Sequence, residues 1–510
     1  MATFVIRRLI ASFFTLLAAT YLMYLLTAYS GDPLQELRDS SSPNRAQLIQ
    51  ARSDLLNLDV PPYLRYFIWI AGVGRCFIGQ CDLGVTVQNQ PVTVLLGQAI
   101  GSTLQLVTIA TLVAILLGLV VGITTALRQY SGYDYGVTFM SFLFFSLPIF
   151  WVAVLLKVYI AIGFNDFLRD PEIPAIAVVA VAIISGLIWM SIVPGVRRRK
   201  LATFAIATAV TAAVLVYINV SDWFTTPHLT IVVVALTAIA AALGVTAVSN
   251  GLSNKRARNA SLVVAAVGIG AYFPFMYFVS YYLDFFSLAA LAFVTVGVSF
   301  AIGYVMGGND RLPVARTTAI VGFIVGAVIA LDRYMMVWDE YAASGRIKGR
   351  PIATIGSSTP GLEGSVWVYG VDLFTHLLLP TIALILISFA TYTRYSRASL
   401  LEVMNQDYIR TARAKGLTER TVVVRHAFRN ALIPIATIIA FDVGGIIGGA
   451  VITERVFGWT GMGQLFQNGL DRVDPNPVMA FFLVVGGLAI LFNLLADLAY
   501  AALDPRIRVS

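Results

Sequence analysis

The stretch that decides the fold is AIGSTLQLVTIATLVAILLGLVVGITTAL at residues 99–127, a run without a single acidic or basic side chain. A helix of about 20 apolar residues crosses a bilayer core of roughly 30 Å. Similar blocks recur along the 510 residues, of which 58% are hydrophobic and only 12% are charged. A soluble chain of this length needs more charge to cover its surface. The sequence therefore predicts a membrane protein with many spans.

Twelve apolar blocks are candidate spans, and each is predicted to be helical because backbone groups in lipid must be satisfied within their own segment. The first block follows Arg7 and Arg8 as a signal peptide would, but it is too long and lacks a clear cleavage site, so we expect a retained anchor. The predicted spans are 9–29, 99–127, 137–163, 173–194, 202–220, 229–249, 260–280, 286–306, 317–334, 374–395, 433–452 and 478–501.

Lys and Arg residues set the predicted orientation, because cytoplasmic loops carry an excess of them. If Arg7 and Arg8 lie inside, every returning loop is basic, including the inner loop with Lys255, Arg256 and Arg258 and the inner loop with Arg311 and Arg316. The short outer loops 221–228 and 281–285 contain no Lys or Arg. We therefore expect both termini in the cytoplasm. The net charge of +8 reflects this topology and predicts no binding of nucleic acid.

Residues 31–98 are predicted to form a small external cap of helix and strand between the first two spans. The cap contains the only two cysteines of the chain, Cys76 and Cys81. Their spacing without a nearby His is poorly suited to a metal, and no metal site is predicted. A disulfide that closes a small loop is one interpretation outside the cytoplasm. A pair of free thiols is the other.

A basic segment at 396–432, predicted to lie inside, contains the candidate functional motif. Ala412 shares one helix side with Tyr408 and Gly416, and Gly416 is a predicted helix stop. A short helix with a small-residue face can dock into a groove on a partner protein. An ordinary solvated loop that only sets topology is the alternative. The motif reads Tyr408, Ile409, Arg410, Thr411, Ala412, Arg413, Ala414, Lys415, Gly416 and Leu417.

The motif resembles the coupling loop of binding-protein-dependent ABC importer permeases, and most of all that of the dipeptide/oligopeptide subgroup. Ala412 and Gly416 match the second Ala and the Gly of the family's Glu-Ala-Ala loop, while Arg410 and Thr411 replace its first two residues. Together with the late Pro434, this departure is typical of the peptide subgroup. Weaker likenesses cover about 1–165 and 370–510, including Gly31 to Leu34, Asp82 to Gly84, Glu454 to Gly458, Gly461 to Leu465 and Asp504 to Arg506.

The resemblance implies an all-α membrane protein, a polytopic helical bundle of about twelve transmembrane helices. About six of them form the permease core and about six are inserted. The inserted block could be a second transport pathway, but an accessory bundle that faces lipid or a partner is favoured because its spans contain almost no charge. The predicted parts are the first helix at 1–30, the cap at 31–98, core helices at 99–165, the inserted block at 166–369, and core helices with the coupling loop 396–432 at 370–510.

The resemblance also implies a division of labour in the bacterial inner membrane. Two permease subunits would form the pore, two ABC ATPase subunits would bind from inside, and an extracytoplasmic binding protein would deliver a peptide. The sequence contains no Gly-x-x-x-x-Gly-Lys-Ser/Thr phosphate loop, so we expect ATP and Mg to be bound by the partner ATPases and not by this chain. No catalytic residues and no cofactor are predicted. Related permeases carry dipeptides, oligopeptides, nickel or other solutes.

A candidate translocation pathway begins at Asp442, in the eleventh predicted span. A carboxylate in a span is costly unless it faces water or a partner, and glycines let another helix approach closely. The face could line the pore, where Asp442 would attract a peptide amino terminus. The alternative is a packing interface between two permease subunits, with Asp442 paired across it. Besides Asp442, the face consists of Gly444, Gly445, Gly448 and Gly449.

Two other classes of membrane protein are alternatives, and twelve spans also fit the first of them. A secondary transporter usually shows two similar halves with charges near the midplane, and no two halves are found here, because the inserted block interrupts one six-span unit. A membrane-embedded lipid-linked glycosyltransferase would need clustered acidic or His residues in an external loop. The acidic residues of 30–98 are scattered. Co-purifying ATPases would support the importer, whereas a lone active chain would support one of these alternatives.

Overall fold

The computed structural model of the chain describes residues 2–193, 195–432, 434–436, 438–439 and 450–503. In this part of the chain the regular structure is helical, which confirms the predicted fold class. Eleven helical segments of the described residues are long and apolar enough to cross a membrane. The eleventh predicted span, 433–452, lies mostly outside the described residues. The eleven segments are Ile6–Tyr29, Val92–Leu127, Ile149–Phe167, Ala175–Ile192, Arg197–Val220, Ile231–Ser249, Lys255–Tyr277, Phe285–Met306, Gly308–Ala343, Val366–Met404 and Pro475–Phe492.

The chain divides into two compact units. The first comprises Met1–Ile160, Thr354–Ser357 and Leu377–Ser510. The second comprises Ala161–Ala353 and Ser358–His376, and it overlaps the predicted inserted block at 166–369.

The first unit contains the cap and the predicted core spans. Its helices begin with α1 at Ala2–Tyr29, and several of them are preceded by a proline, whose fixed φ suits the position before a helix. The others are α2 (Gln35–Arg38), α3 (Arg45–Leu55), α4 (Pro62–Gly74), α5 (Val92–Leu127), α6 (Gly132–Ser146), α7 (Ile149–Leu155), α16 (Val366–Met404, which begins in the second unit), α17 (Asp407–Ala414), α18 (Glu419–Thr421), α19 (Val451–Phe457), α20 (Met462–Asp471) and α21 (Pro475–Leu503).

The cap at 31–98, all of which is described, consists of helices and one isolated β-bridge between Val85 and Pro91. The expectation of a strand there was wrong, because the segment between the bridge partners is only a tight turn. Tyr66 and Trp69 of α4 are buried against Tyr24 of α1. The hydroxyl groups of Tyr66 and Thr20 are 2.9 Å apart, so α4 is fixed to α1 by apolar and polar contacts.

The third predicted span, 137–163, is not one helix. It breaks after Ser146, where Leu147 is extended and Pro148 precedes α7. Proline removes a backbone donor and disfavours the helical conformation of the residue before it. After α7 the chain continues as a π-helix at Leu156–Ile162 and as α8 at Gly163–Phe167. The helix that is long enough to cross a membrane therefore begins at Ile149 and not at 137.

The second unit contains a helical hairpin and a four-helix bundle. The hairpin is formed by α9 (Ala175–Ile192) and α10 (Arg197–Val220), which pack on each other. The bundle core contains small or branched side chains such as Val234, Ala238 and Val321, all almost fully buried. The bundle and the short helix that follows it are α11 (Ile231–Ser249), α12 (Lys255–Tyr277), α13 (Phe285–Met306), α14 (Arg311–Met336) and α15 (Trp338–Ala343).

A buried carboxylate fixes one end of this bundle. Asp332 of α14 accepts hydrogen bonds from the Tyr272 hydroxyl at 2.6 Å and from the Leu229 amide at 2.5 Å. Three segments of the second unit are thereby joined at one side chain. The prediction that these spans contain almost no charge missed Asp332, which lies near the end of its span and is fully buried.

Candidate functional site

The predicted coupling segment forms a short amphipathic helix, α17, whose inner face is part of a small apolar cluster. Ile409 and Ala412 are buried there. They pack with Leu400 of α16, Ala126 at the end of α5 and the π-helical segment Val422–Ala427. The segment is therefore fixed to the ends of two long helices and is not a free loop.

The outer face of α17 is polar and basic. Thr411 and Ala414 are exposed, and so are Arg410 and Lys415. Tyr408 lies at the rim of this face, and its hydroxyl accepts a hydrogen bond of 2.9 Å from the side-chain Nδ2 of Asn430. This face presents small, uncharged positions between cations, which suits contact with a complementary protein surface.

The expectation that Ala412 lies on an exposed docking face was wrong. Its helix side packs inward, because Ile409 one turn earlier must be buried and Ala412 follows it at i+3. Tyr408 and Gly416 are exposed beside it. The exposed residues of the predicted coupling segment therefore include Arg410, Thr411, Ala414 and Lys415, and they do not include Ala412.

The end of α17 is fixed by backbone geometry and by an ion pair. Gly416 has φ of +78°, and its amide bonds to the Arg413 carbonyl at 2.9 Å, which confirms it as the helix stop. Arg413 binds the Glu419 carboxylate through two contacts, Nη2–Oε1 at 2.7 Å and Nε–Oε2 at 3.2 Å. Such two-point geometry orients both side chains, so it sets the path of the turn between α17 and α18.

A second polar centre lies beside α19 and α5. Glu454 is fully buried and accepts hydrogen bonds from the Thr103 hydroxyl at 2.6 Å and from the Gly463 amide at 2.7 Å. A β-carbon at Gly461 would overlap the carboxylate, so only glycine fits there. Burial raises the pKa of Glu454, and these donors oppose that effect. Glu454 thus joins α19, α20 and α5.

Sequence reasoning recognised Glu454 only as part of a motif and did not assign it a structural role. The available signal was a Glu followed after seven and nine residues by glycines, Gly461 and Gly463, which leave room for a buried carboxylate. What the spacing could not reveal was Thr103, which is 351 residues away in sequence.

The cap is attached to the start of α21 by another buried carboxylate. Asp474 is 1% exposed and accepts a hydrogen bond from the Val87 amide at 2.7 Å. The Asn476 side chain donates to the Val85 carbonyl at 2.7 Å. Burial raises the pKa of Asp474 to about 6. The loop 85–87 is therefore held by two side chains from the far end of the chain.

A cavity of about 470 Å³ lies between the cap and these residues. Asp32 and Arg38 line it as an ion pair, with Arg38 Nε 2.9 Å from Asp32 Oδ2. Trp69 and Asn476 are also part of the wall.

The structure joins Cys76 and Cys81 of the neighbouring turn in a disulfide, which is one of the two interpretations left open by the sequence.

Asp442, Gly444, Gly445, Gly448 and Gly449 lie outside the described residues. The predicted pathway face therefore stays a prediction. Among the described residues, no group of three or more His, Cys, Asp or Glu side chains is arranged to hold a metal ion.

Comparison with known proteins identifies relatives of this chain. It is 47% identical over 155 residues to the oligopeptide transport system permease protein OppB of Mycobacterium tuberculosis, an alignment that covers 30% of this chain and 48% of OppB. It is 45% identical over 170 residues to a putative peptide permease protein of Brucella suis, covering 33% and 51%. It is 39% identical over 177 residues to the dipeptide transport system permease protein DppB of Escherichia coli K12, covering 34% and 52%. The chain thus matches about half the length of each relative.

A family model matches a larger part of the chain. The model describes binding-protein-dependent transport system inner membrane components, and it matches residues 188–509. That range includes most of the predicted inserted block together with α16, α17 and the following helices. Because the match covers more than half of the 510 residues, the chain belongs to the family of binding-protein-dependent transport system inner membrane components.

Proposed function

We propose that the chain is one of two permease subunits of an ATP-driven ABC importer for di- or oligopeptides in the bacterial inner membrane. The similarity to OppB and DppB supports the peptide class, and membership of a family of transport components agrees with the expectation that the chain is not an enzyme. ATP and Mg would be bound by two partner ATPases, and an extracytoplasmic binding protein would deliver the peptide. Both termini would lie in the cytoplasm.

The observation that carries this proposal is the packing of α17, which has one buried face and one exposed face. Its inner face packs on the ends of α5 and α16, while its outer face is exposed. A push from an ATPase on that outer face would therefore be transmitted to two long helices through buried contacts. Helices move as rigid bodies in such transitions because packed interfaces shift between discrete arrangements and do not deform continuously.

Cross-linking from two introduced cysteines tests the coupling surface. Thr411→Cys places a thiol on the outer face of α17, and Ser253→Cys places a thiol on a predicted inner loop of the second unit. Both variants of the full chain carry a photoreactive maleimide in native membranes, and captured proteins are identified by mass spectrometry. We expect Thr411→Cys to capture an ATPase with a phosphate-loop motif and Ser253→Cys to capture none. Equal capture from the two positions, or none from Thr411→Cys, would contradict the proposed surface.

Transport assays separate the importer from the alternatives. The complex isolated from native membranes, together with its binding protein, should take up a labelled tripeptide into proteoliposomes only when ATP is supplied. Uptake by the isolated chain driven by an ion gradient would identify a secondary transporter. Transfer of a sugar from a lipid carrier by the isolated chain would identify a glycosyltransferase.

The predicted pathway face adds a narrower test. If Asp442 attracts the peptide amino terminus, Asp442→Asn lowers peptide uptake while the complex still assembles. Unchanged uptake would remove Asp442 from the pathway.

A further inference from the structure

One end of the four-helix bundle in the second unit carries an uncompensated cluster of positive charge. The segments 250–258 and 307–316, which precede and begin α12 and α14, contain five basic residues and one acidic residue. The acidic residue is Asp310. The basic residues are Lys255, Arg256, Arg258, Arg311 and Arg316.

Two of these cations converge on a single turn. Gly308 has φ of +61°, and a β-carbon there would overlap the guanidinium of Arg256. Arg311 donates from Nε to the Gly308 carbonyl at 3.2 Å, and its guanidinium lies 5.5 Å from the ring centre of Tyr304. The two guanidinium groups therefore share one small surface. Glycine at position 308 is what lets them approach it.

Neither guanidinium is neutralised by the protein. In the part of the chain that the structure describes, no ion pair joins Arg256 or Arg311 to a carboxylate. Both side chains are exposed. Each also lies in the first turn of its helix, where no acidic residue is present and where the helix dipole already favours an anion. Asp310, which directly precedes Arg311, is the one carboxylate of this turn, so the five cations keep a net positive charge.

Exposed apolar side chains adjoin these cations in the sequence. Leu252, Leu312 and Val305 are 47%, 53% and 81% exposed, although each adjoins the basic cluster in sequence. The helices that follow are long enough to cross a membrane. A guanidinium pair that binds phosphate next to exposed aliphatic side chains matches a headgroup attached to acyl chains. A free phosphate would use only the charged half of this surface.

We propose that Arg256 and Arg311, gathered at Gly308, bind the phosphate of an anionic phospholipid, so that this end of the second unit is an anionic-lipid site. The occupant is one lipid whose phosphate contacts both guanidinium groups and whose chains lie along the apolar residues beside them. The site is independent of the proposed transport function, because it lies wholly within the second unit and uses none of the coupling residues.

Lipid binding by the purified full chain tests the site. Phosphatidylglycerol or phosphatidylcholine is added to the detergent-solubilised protein, retained lipid is counted by native mass spectrometry, and the Tm is measured. We expect phosphatidylglycerol to raise the Tm and phosphatidylcholine to have little effect. The double variant Arg256→Gln, Arg311→Gln should lose at least half of that shift and the tightly retained lipid. Conversion of both residues to Lys should keep most of the shift, because the charge remains.

Arg198→Gln with Arg199→Gln is the matched control, since it removes the same charge from the basic start of α10, whose residues are not among the contacts of Gly308. This control should bind phosphatidylglycerol as the unmodified chain does. Equal losses in the two double variants would mean diffuse attraction and would overturn the site, as would unchanged binding in Arg256→Gln, Arg311→Gln. An equal Tm shift from glycerol phosphate at the same concentration would show that the acyl chains contribute nothing and would overturn the assignment to a lipid.

Discussion

At the scale of single residues, the buried carboxylate of Asp474 makes the stability of the folded cap depend on pH. Its pKa is raised from 3.8 to about 6 by burial, so the folded cap holds this proton more tightly than the unfolded chain does. Between these two values the folded state binds more protons, and its stability therefore falls as pH rises. Above about pH 6 the carboxyl is ionised in both states and the dependence ends.

Hydrogen exchange at the Val87 amide, which donates to Asp474 Oδ2, measures this effect. After correction for intrinsic exchange rates, we expect protection of that amide to be about tenfold greater at pH 5 than at pH 7, because one unit of pH within the window corresponds to about 1.4 kcal/mol. Asp474→Asn should make the protection independent of pH. The control Asp471→Asn changes an exposed carboxyl nearby and should keep the tenfold ratio. A flat profile in the unmodified chain would contradict the argument.

At the scale of elements, the attachment of α17 depends on Ile409, which is fully buried. Ile409→Ala removes buried methyl and methylene groups and leaves a cavity, which costs about 2 kcal/mol or more. We expect the α17 amides to exchange roughly 30-fold faster, with little change in the amides of α4. Arg410→Ala, one residue away on the exposed face, should leave exchange nearly unchanged. If both variants behave alike, burial of Ile409 does not hold the helix.

The same helix shows what could be predicted from the sequence. Hydropathy predicted the long helices and Gly416 predicted the end of α17, because both signals are local. The direction in which Ala412 faces was predicted wrongly, because it depends on Leu400 and Ala126, which no local pattern links to α17. The helix break at Pro148 was also missed. The apolar run 137–163 is long enough to be predicted as one span, although Pro148 within it indicates a helix break.

Long-range polar partners were beyond sequence reasoning for the same reason. Glu454 with Thr103, and Asp474 with Val87, join residues separated by more than 350 positions. A single sequence shows that a carboxylate is present but not which donors will surround it. Positive-charge patterning predicted Arg256 and Arg311 as residues of inner loops, yet their convergence on Gly308 required the fold.

At the scale of the whole molecule, each of the two units has its own apolar core and at least one buried carboxylate that joins its helices. Glu454 belongs to the first unit and Asp332 to the second. Units with separate cores can lose structure separately. We therefore expect thermal unfolding to proceed in two steps, one for each unit. A substitution that removes a contact inside one unit should change the unfolding of that unit only.

Temperature-dependent hydrogen exchange, followed separately in peptides from the two units, tests this division. Asp332→Ala leaves the Leu229 amide and the Tyr272 hydroxyl without their acceptor, at a cost of about 1–3 kcal/mol. It should lower the midpoint of the second unit by about 3 °C or more and leave that of the first unchanged. Glu454→Gln should do the reverse, because an amide group cannot accept on both sides from Thr103 and Gly463. If either substitution shifts both midpoints equally, the molecule unfolds as one cooperative body and the two cores are not independent.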